Sequence, residues 1–293
     1  MIILNEAEYA ENILNSNTYI DNPTTCIPIL AKYYNKTYNF GKKRIVDSLD
    51  RLMTDRYKNY SRMRWISFLE SCANKAKKSS LNEIDSIGVT KKEMDTIGSL
   101  NSIRTEKAMF AILCIAKYFN IRNEKNNGWV NLSAKDIFKM ANVNITTINQ
   151  DLLINVLYSN GLVEFSKRID NLNMRVTFID NSGDALLKVS DFRCLGYEYV
   201  NWKQGGYFRC AECGILCKQN KYGNRIYCNN CVGNIPIAKK TIACIDCGCN
   251  FDIDAKDNQT DRCPECYKKY RKQVINENAK RYYRNKKNFI QHK

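Results

Sequence analysis

Four Cys-x-x-Cys pairs in the last third of the chain constrain its fold more than any other feature. They read C-A-E-C-G at Cys210 and Cys213, C-N-N-C at Cys228 and Cys231, C-I-D-C-G at Cys244 and Cys247, and C-P-E-C at Cys263 and Cys266. Fourteen residues separate the pairs of the first set and fifteen those of the second, against about fifteen to twenty for a four-cysteine site of this kind. A knuckle of this type lets one tight turn fill two corners of a tetrahedron of thiolates, and Gly214 and Gly248 permit each turn. The recurrence of the plan predicts two four-cysteine modules of zinc-ribbon type, each closed by a structural Zn2+ with no open position for water. Sequential pairing is expected, with Cys217 and Cys249 as the thiols able to replace a neighbour in a knuckle.

Of the fourteen cysteines, Cys26, Cys72, Cys114 and Cys194 stand alone among apolar or helical neighbours, where a free thiol behaves as a small hydrophobic residue. Disulfides are the poorer reading of the set. No basic segment followed by an apolar stretch opens the sequence, no apolar run of about eighteen residues occurs, and eight of the ten remaining cysteines fall into metal-type pairs. The expectation is a cytoplasmic protein with no membrane span.

Lys and Arg outnumber Asp and Glu by 46 to 30. Residues 201 to 293 hold 19 of the basic and 8 of the acidic groups, so +11 of the net +16 lies in that stretch. Such a field attracts polyanions, nucleic acid first among them.

Upstream, no proline occurs between Pro28 and Pro236, which predicts a mostly helical N-terminal half. Residues 42–78 carry an apolar stripe of Ile45, Leu49, Leu52, Met53, Tyr57 and Tyr60, with 11 basic and 4 acidic residues. This pattern suits solvated faces of helices packed on a core better than a dedicated nucleic-acid surface. Tyr33, Tyr34 and Tyr38 read as core. Short helices follow over 79–102, with Thr90 and Glu93 at capping-box spacing. Residues 104–119, with Met109, Phe110, Leu113 and Ala116, read as a buried helix.

From Trp129 the expected order is a strand to Leu132, a helix capped by Ser133, a turn at Asn142 to Asn144 and a second helix. That second helix opens with Thr147 and Gln150 in capping-box spacing, buries Ile148, Leu152, Leu153, Val156 and Leu157, and stops at Gly161. Two strands, Leu162 to Lys167 and Met174 to Ile179, flank a turn. Over residues 104–180 this order resembles a winged-helix domain. The resemblance implies that Thr146, Thr147, Asn149, Gln150 and Asn155 could meet bases or phosphates. No Lys or Arg lies between Lys139 and Lys167, and Asp151 sits in the first turn. Phosphate contacts would therefore come from Lys167, Arg168 and Arg175 in the wing and from Lys135 and Lys139, and protein docking stays open as the alternative use.

The tail from Tyr267 carries Lys268, Lys269, Arg271, Lys272, Lys280, Arg281, Arg284, Lys286 and Lys287, opposed by Glu277 alone. With Val274 and Ile275 as its main aliphatic residues it cannot bury a wide stripe, so a projecting basic helix suited to phosphates is expected, with Tyr267, Tyr270, Tyr282 and Tyr283 able to stack on bases.

The whole is read as mainly α with small β elements: a helical region over 1–103, a winged-helix-like domain over 104–200, four-cysteine zinc modules over 205–238 and 239–266, and a basic helical tail over 267–293. A winged-helix-like middle followed by a C-P-E-C knuckle running into a Tyr-, Lys- and Arg-rich tail resembles zinc-ribbon proteins of Firmicute phages and prophages. That resemblance is most specific over residues 205–287 and implies an accessory or regulatory role in a mobile element. The function expected is binding of nucleic acid, DNA before RNA. The alternative is an inhibitor or adaptor that docks on a host or phage protein complex, including a nucleoprotein defence complex. Catalysis is not expected. His292 is the only histidine, which excludes histidine triads, H-E-x-x-H sites and metal-bound HNH chemistry, and no phosphate-binding G-x-x-x-x-G-K-[ST] loop occurs.

Overall fold

The computed structural model describes residues 2–16, 19–20, 22–166, 173–232, 239–255, 257 and 259–291, with side chains to residue 282. Backbone contacts divide the chain into two units, residues 1–228 and 229–293. Among the described residues no helix is long and apolar enough to cross a membrane.

The first unit holds two apolar cores. One is made by α1 (Glu6–Asn15), α2 (Pro23–Tyr38), α3 (Lys42–Arg56) and α4 (Arg62–Ala76). Proline at the first position of α2 costs no hydrogen bond, and Asn39 ends that helix in the left-handed conformation. The expected stripe of α3 is buried through Ile45, Leu49, Leu52 and Met53, while Tyr57 and Tyr60 pack at the margin of the core. Tyr33 and Tyr34 are buried as expected, but Tyr38 is half exposed, because it lies in the last turn of α2 beside Phe40. Arg56, one of the basic residues of this region, donates to the carbonyls of Ile13 and Ser16 and so ties the end of α3 to the end of α1.

The second core surrounds a single helix. Its elements are β1 (Ile87–Thr90), α5 (Lys91–Gly98), α6 (Ile103–Arg122), β2 (Trp129–Val130), α7 (Ala134–Met140), α8 (Thr147–Ser159), β3 (Val163–Phe165), β4 (Met174–Val176), β5 (Ala185–Val189) and α9 (Leu195–Gln204). Helix α6 is buried without interruption from Ala108 to Ala116, as an element apolar on every side must be. The second core takes in Ile87, Val89, Met94 and Ile97, so it begins ahead of the boundary read at residue 103. Strands β2, β4 and β3 form one antiparallel sheet in that order, with Trp129 opposite Arg175 and Val163 opposite Val176. The strands are shorter than the sequence suggested, two or three residues each.

Strand β5 pairs antiparallel with β1, Ile87 opposite Val189, and was not anticipated. The cap of α5 was: Thr90 Oγ1 accepts from the Glu93 amide, and Glu93 accepts from the Thr90 amide at 2.8 Å. The Glu93 carboxylate is fully buried, and its remaining capacity goes to Lys117 Nζ at 2.9 Å and to the Asp180 amide at 2.9 Å. One carboxylate thereby joins α5, α6 and the chain entering β5.

Helix α8 departs from its expectation in two ways. Its cap is Thr146, without a side-chain cap bond, and Gln150 Nε2 turns back to the Ile145 carbonyl, so no Thr147–Gln150 box forms. More consequentially, Leu153, Ile154 and Leu157 face the core, whereas Ile148, Leu152 and Val156 are 73%, 57% and 47% exposed. The helix carries two apolar stripes of helical period on opposite sides, and only one of them can meet α6.

The first unit continues into a hairpin of β6 (Tyr207–Arg209) and β7 (Leu216–Lys218). The second unit comprises α10 (Asn229–Val232), the hairpin of β8 (Lys239–Ala243) and β9 (Asn250–Asp254), and α11 (Pro264–Gln291), a single helix of 28 residues.

Candidate metal centres and the basic helix

Both four-cysteine sets converge as the spacing predicts. The Sγ atoms of Cys210, Cys213, Cys228 and Cys231 lie within 4.8 Å of one another, as do those of Cys244, Cys247, Cys263 and Cys266. In each set the first knuckle is the turn of a β-hairpin, and the two turns are built alike. Gly214 N–H donates to the Cys210 carbonyl at 2.9 Å and Gly248 N–H to the Cys244 carbonyl at 2.8 Å, with φ of 68° and 71° that favour glycine. Cys210 N–H reaches the Ile215 carbonyl, and Cys244 N–H the Cys249 carbonyl. The second knuckles close by the same device, Cys228 N–H donating to Cys210 Sγ at 3.2 Å and Cys263 N–H to Cys244 Sγ at 3.3 Å.

This geometry suits a tetrahedral cation. Four thiolates at about 2.3 Å from a central ion sit about 3.8 Å apart along the tetrahedron's edges. Cys213 to Cys228 and Cys247 to Cys263 are each 3.8 Å. The electrostatics agree with it. Burial opposes ionisation of Cys210, but the amides of Cys213, Cys228 and Glu212 outweigh it and bring the thiol down to about 6. The Cys263 amide, with those of Cys247 and Asp246, does the same for Cys244, again to about 6. The Cys266 amide lowers Cys263 as well, so each centre offers at least one thiol shifted toward the thiolate that a metal requires. The two centres could hold a metal ion apiece.

The spare thiols differ in placement. Cys217 lies on β7 opposite Phe208, half-buried and outside the first cluster, and burial raises its thiol. Cys249 is exposed, with its Sγ 3.3 Å from Cys247 Sγ. The four isolated cysteines are buried in the first unit. Burial pushes Cys26 up to about 11 and raises Cys72, Cys114 and Cys194, which leaves them unreactive packing residues.

Helix α11 starts inside the second centre, at Pro264 between Cys263 and Cys266. Arg262 anchors this start: its guanidinium pairs with Asp246 at 2.9 Å and lies 4.3 Å above the Tyr270 ring. Beyond it Lys268, Lys269, Arg271, Lys272, Lys280 and Arg281 are all exposed, as are Tyr267, Tyr270 and Tyr282. Arg284, Lys286 and Lys287 continue the helix, with side chains outside the described residues. The helix begins at Pro264, three residues ahead of the expected start of the tail, and runs to Gln291.

The residues assigned to a recognition helix are on the surface as a group: Thr146, Thr147, Asn149, Asp151 and Asn155 are exposed, and Gln150 is half-buried. Lys135 and Lys139 of α7 are exposed. Arg175 is not a free wing cation, because its guanidinium pairs with Glu164 at 3.3 Å and donates to the Asn127 carbonyl at 3.1 Å. Lys167 and Arg168 lie outside the described residues.

Sequence reasoning overlooked the support of the first knuckle. Arg193, held by Asp191 at 2.7 Å, donates to the Cys213 carbonyl at 2.8 Å, and no local pattern links residues 20 positions apart in this way. It also overlooked the apolar stripe that α8 leaves in water. Comparison with family models, with curated proteins and with solved structures gave no match to this chain.

Proposed function

We propose that this chain is a zinc-stabilised nucleic-acid-binding accessory protein, with α11 as an electrostatic anchor on phosphates and with no catalytic role. The observation that carries the reading is α11 itself. Twenty-eight residues at about 1.5 Å each make an arm of roughly 42 Å. Its six described cations point around the whole circumference, opposed by Glu265 and Glu277. An arm without a core-facing stripe gains little from packing and much from counterion release on a polyanion. Zinc is the metal favoured for the two centres, since four thiolates at tetrahedral spacing are its usual structural set.

The test is binding of the zinc-loaded full chain to random-sequence duplex DNA over a salt series, beside a variant with Lys268, Lys269, Arg271, Lys272, Lys280 and Arg281 all changed to Gln. Each lost phosphate contact flattens the log-log salt slope by about 0.9, so six should remove about 5. No binding at low salt, or a slope that ignores the substitutions, would sink the reading.

A second reading rests on α8. The order α6, β2, α7, α8, β3, β4, with sheet order β2-β4-β3, supports assigning a winged-helix fold to this segment. Its second helix offers Ile148, Leu152 and Val156 to solvent, no cation, and one acid in Asp151. That surface is poorly suited to phosphates and better suited to a protein, which favours an adaptor or inhibitor that docks through α8. Loss of DNA binding on α11 substitution with an intact protein complex, or the reverse, would separate the two.

A further inference from the structure

We propose that Cys249 is a reserve ligand of the second centre, able to take the place of Cys247 in a four-thiolate set. The proposal rests on the metal reading of that centre and follows from a difference between two modules whose knuckles close through matching backbone hydrogen bonds. The hydrogen bonds that close the first knuckles pair Cys210 with Ile215 and Cys244 with Cys249. The position that is an aliphatic residue in the first module is therefore a thiol in the second.

That thiol is at the ligand shell. Cys249 Sγ lies 3.3 Å from Cys247 Sγ, inside the 3.8 Å that separates Cys247 from Cys263. Cys247 and Cys249 are both exposed, while Cys244 and Cys263 are buried. The inner two ligands are thus fixed by the fold, and the outer edge of the centre has two claimants for one corner. Two thiolates this close repel each other, so they do not serve the same tetrahedron at once. The exchange conserves charge: the metal–sulfur bond to Cys247 breaks as one forms to Cys249, and the proton released by Cys249 is taken up by Cys247. Cys217 is not its counterpart, because it lies opposite Phe208 on β7, and the position equivalent to Cys249 in the first module is Ile215.

Cobalt(II) substitution reads thiolate number directly through the ligand-to-metal charge-transfer and d–d bands. The full chain is stripped of metal and reloaded with Co2+ alone, as the native sequence and as the Cys249→Ser, Cys247→Ser, Cys247→Ser/Cys249→Ser and Cys213→Ser variants. The native chain and Cys249→Ser should each bind two Co2+ with eight thiolates in total. Cys247→Ser should keep the eight-thiolate spectrum through Cys249. The double variant should fall to seven, and so should Cys213→Ser, whose module has Ile215 at the equivalent position. A Cys247→Ser spectrum that coincides with that of the double variant overturns the proposal while leaving both centres standing. A native chain that takes up no cobalt removes the metal reading itself.

Discussion

Two leucines five residues apart on α8 provide the sharpest test of how this helix is seated. Leu157 is fully buried and Leu152 is 57% exposed. Truncation to alanine changes helix propensity equally little at both positions, so any difference reports packing. At Leu157 the lost transfer energy and the residual cavity together cost about 2–5 kcal/mol. At Leu152 more than half of the side chain is already in water, and the loss is under about 1 kcal/mol. For a folding unit of this size each kcal/mol moves the melting temperature by about 2–4 °C. Leu157→Ala should therefore melt roughly 4–20 °C lower than the native chain, and Leu152→Ala within about 4 °C of it. Circular dichroism melts with a parallel urea titration supply both numbers. Equal losses at the two sites, or a larger loss at Leu152, would mean that the apolar stripe of Ile148, Leu152 and Val156 is the core face. The case for α8 as a docking surface would then be gone.

Three further outcomes follow from buried charge and from the metal centres. Lys117→Met leaves the fully buried Glu93 carboxylate without its cation and should destabilise the first unit by about 3–5 kcal/mol, whereas changing Glu93 and Lys117 together to Gln and Met should recover part of that in a double-mutant cycle. Burial raises Glu198 above the usual carboxylate range, and Arg209 at 2.8 Å only partly offsets it. With the folded value raised, the stabilisation belongs to the protonated acid, is complete below the ordinary value of 4.5, and fades as pH rises through the folded value. Glu198→Gln should accordingly melt no lower than the native chain at neutral pH, with any advantage shrinking on acidification; a clear loss at neutral pH would contradict this. Chelation should open residues 239–266 to proteolysis while leaving the melt of the first unit's two cores in place, because Cys244, Ile253 and Cys263 are the only buried residues described in that segment and such modules depend on metal for folding.

What the sequence made legible was whatever chain geometry settles within a few residues. A knuckle is one turn long, so Cys210, Cys213, Gly214 and their counterparts could be placed from spacing alone, as could the Thr90–Glu93 box and the helices of residues 42–78. Pairings across long separations could not. Strand β5 has four of its five residues at least partly exposed and finds β1 nearly 100 positions earlier, which no period reveals. Helix α9, rich in aromatic residues, packs on α6 through Phe110 and Tyr199 at 5.3 Å between ring centroids, and its residues carry no separate helical signal. The seating of α8 was ambiguous for a different reason. Ile148, Leu152 and Val156 satisfy helical spacing as well as Leu153 and Leu157 do, and only the position of α6 decides between them.

The same distinction bears on function. The positive charge and the exposed apolar surface reside on different elements: α11 has cations on every side and no wide apolar stripe, whereas α8 has an apolar stripe and no cation. A protein that only neutralised phosphates would gain nothing from keeping Ile148, Leu152 and Val156 in water, and apolar stripes of that length are costly to leave uncovered unless something covers them. A protein that only docked on another would gain nothing from a 28-residue helix whose described cations outnumber its acids. Under the proposed function, a target that presents both nucleic acid and protein would account for the two features together. That predicts separable, additive losses. Charge removal from α11 should weaken target binding most at low salt and flatten its salt dependence, whereas Leu152→Glu should weaken it at every salt concentration alike.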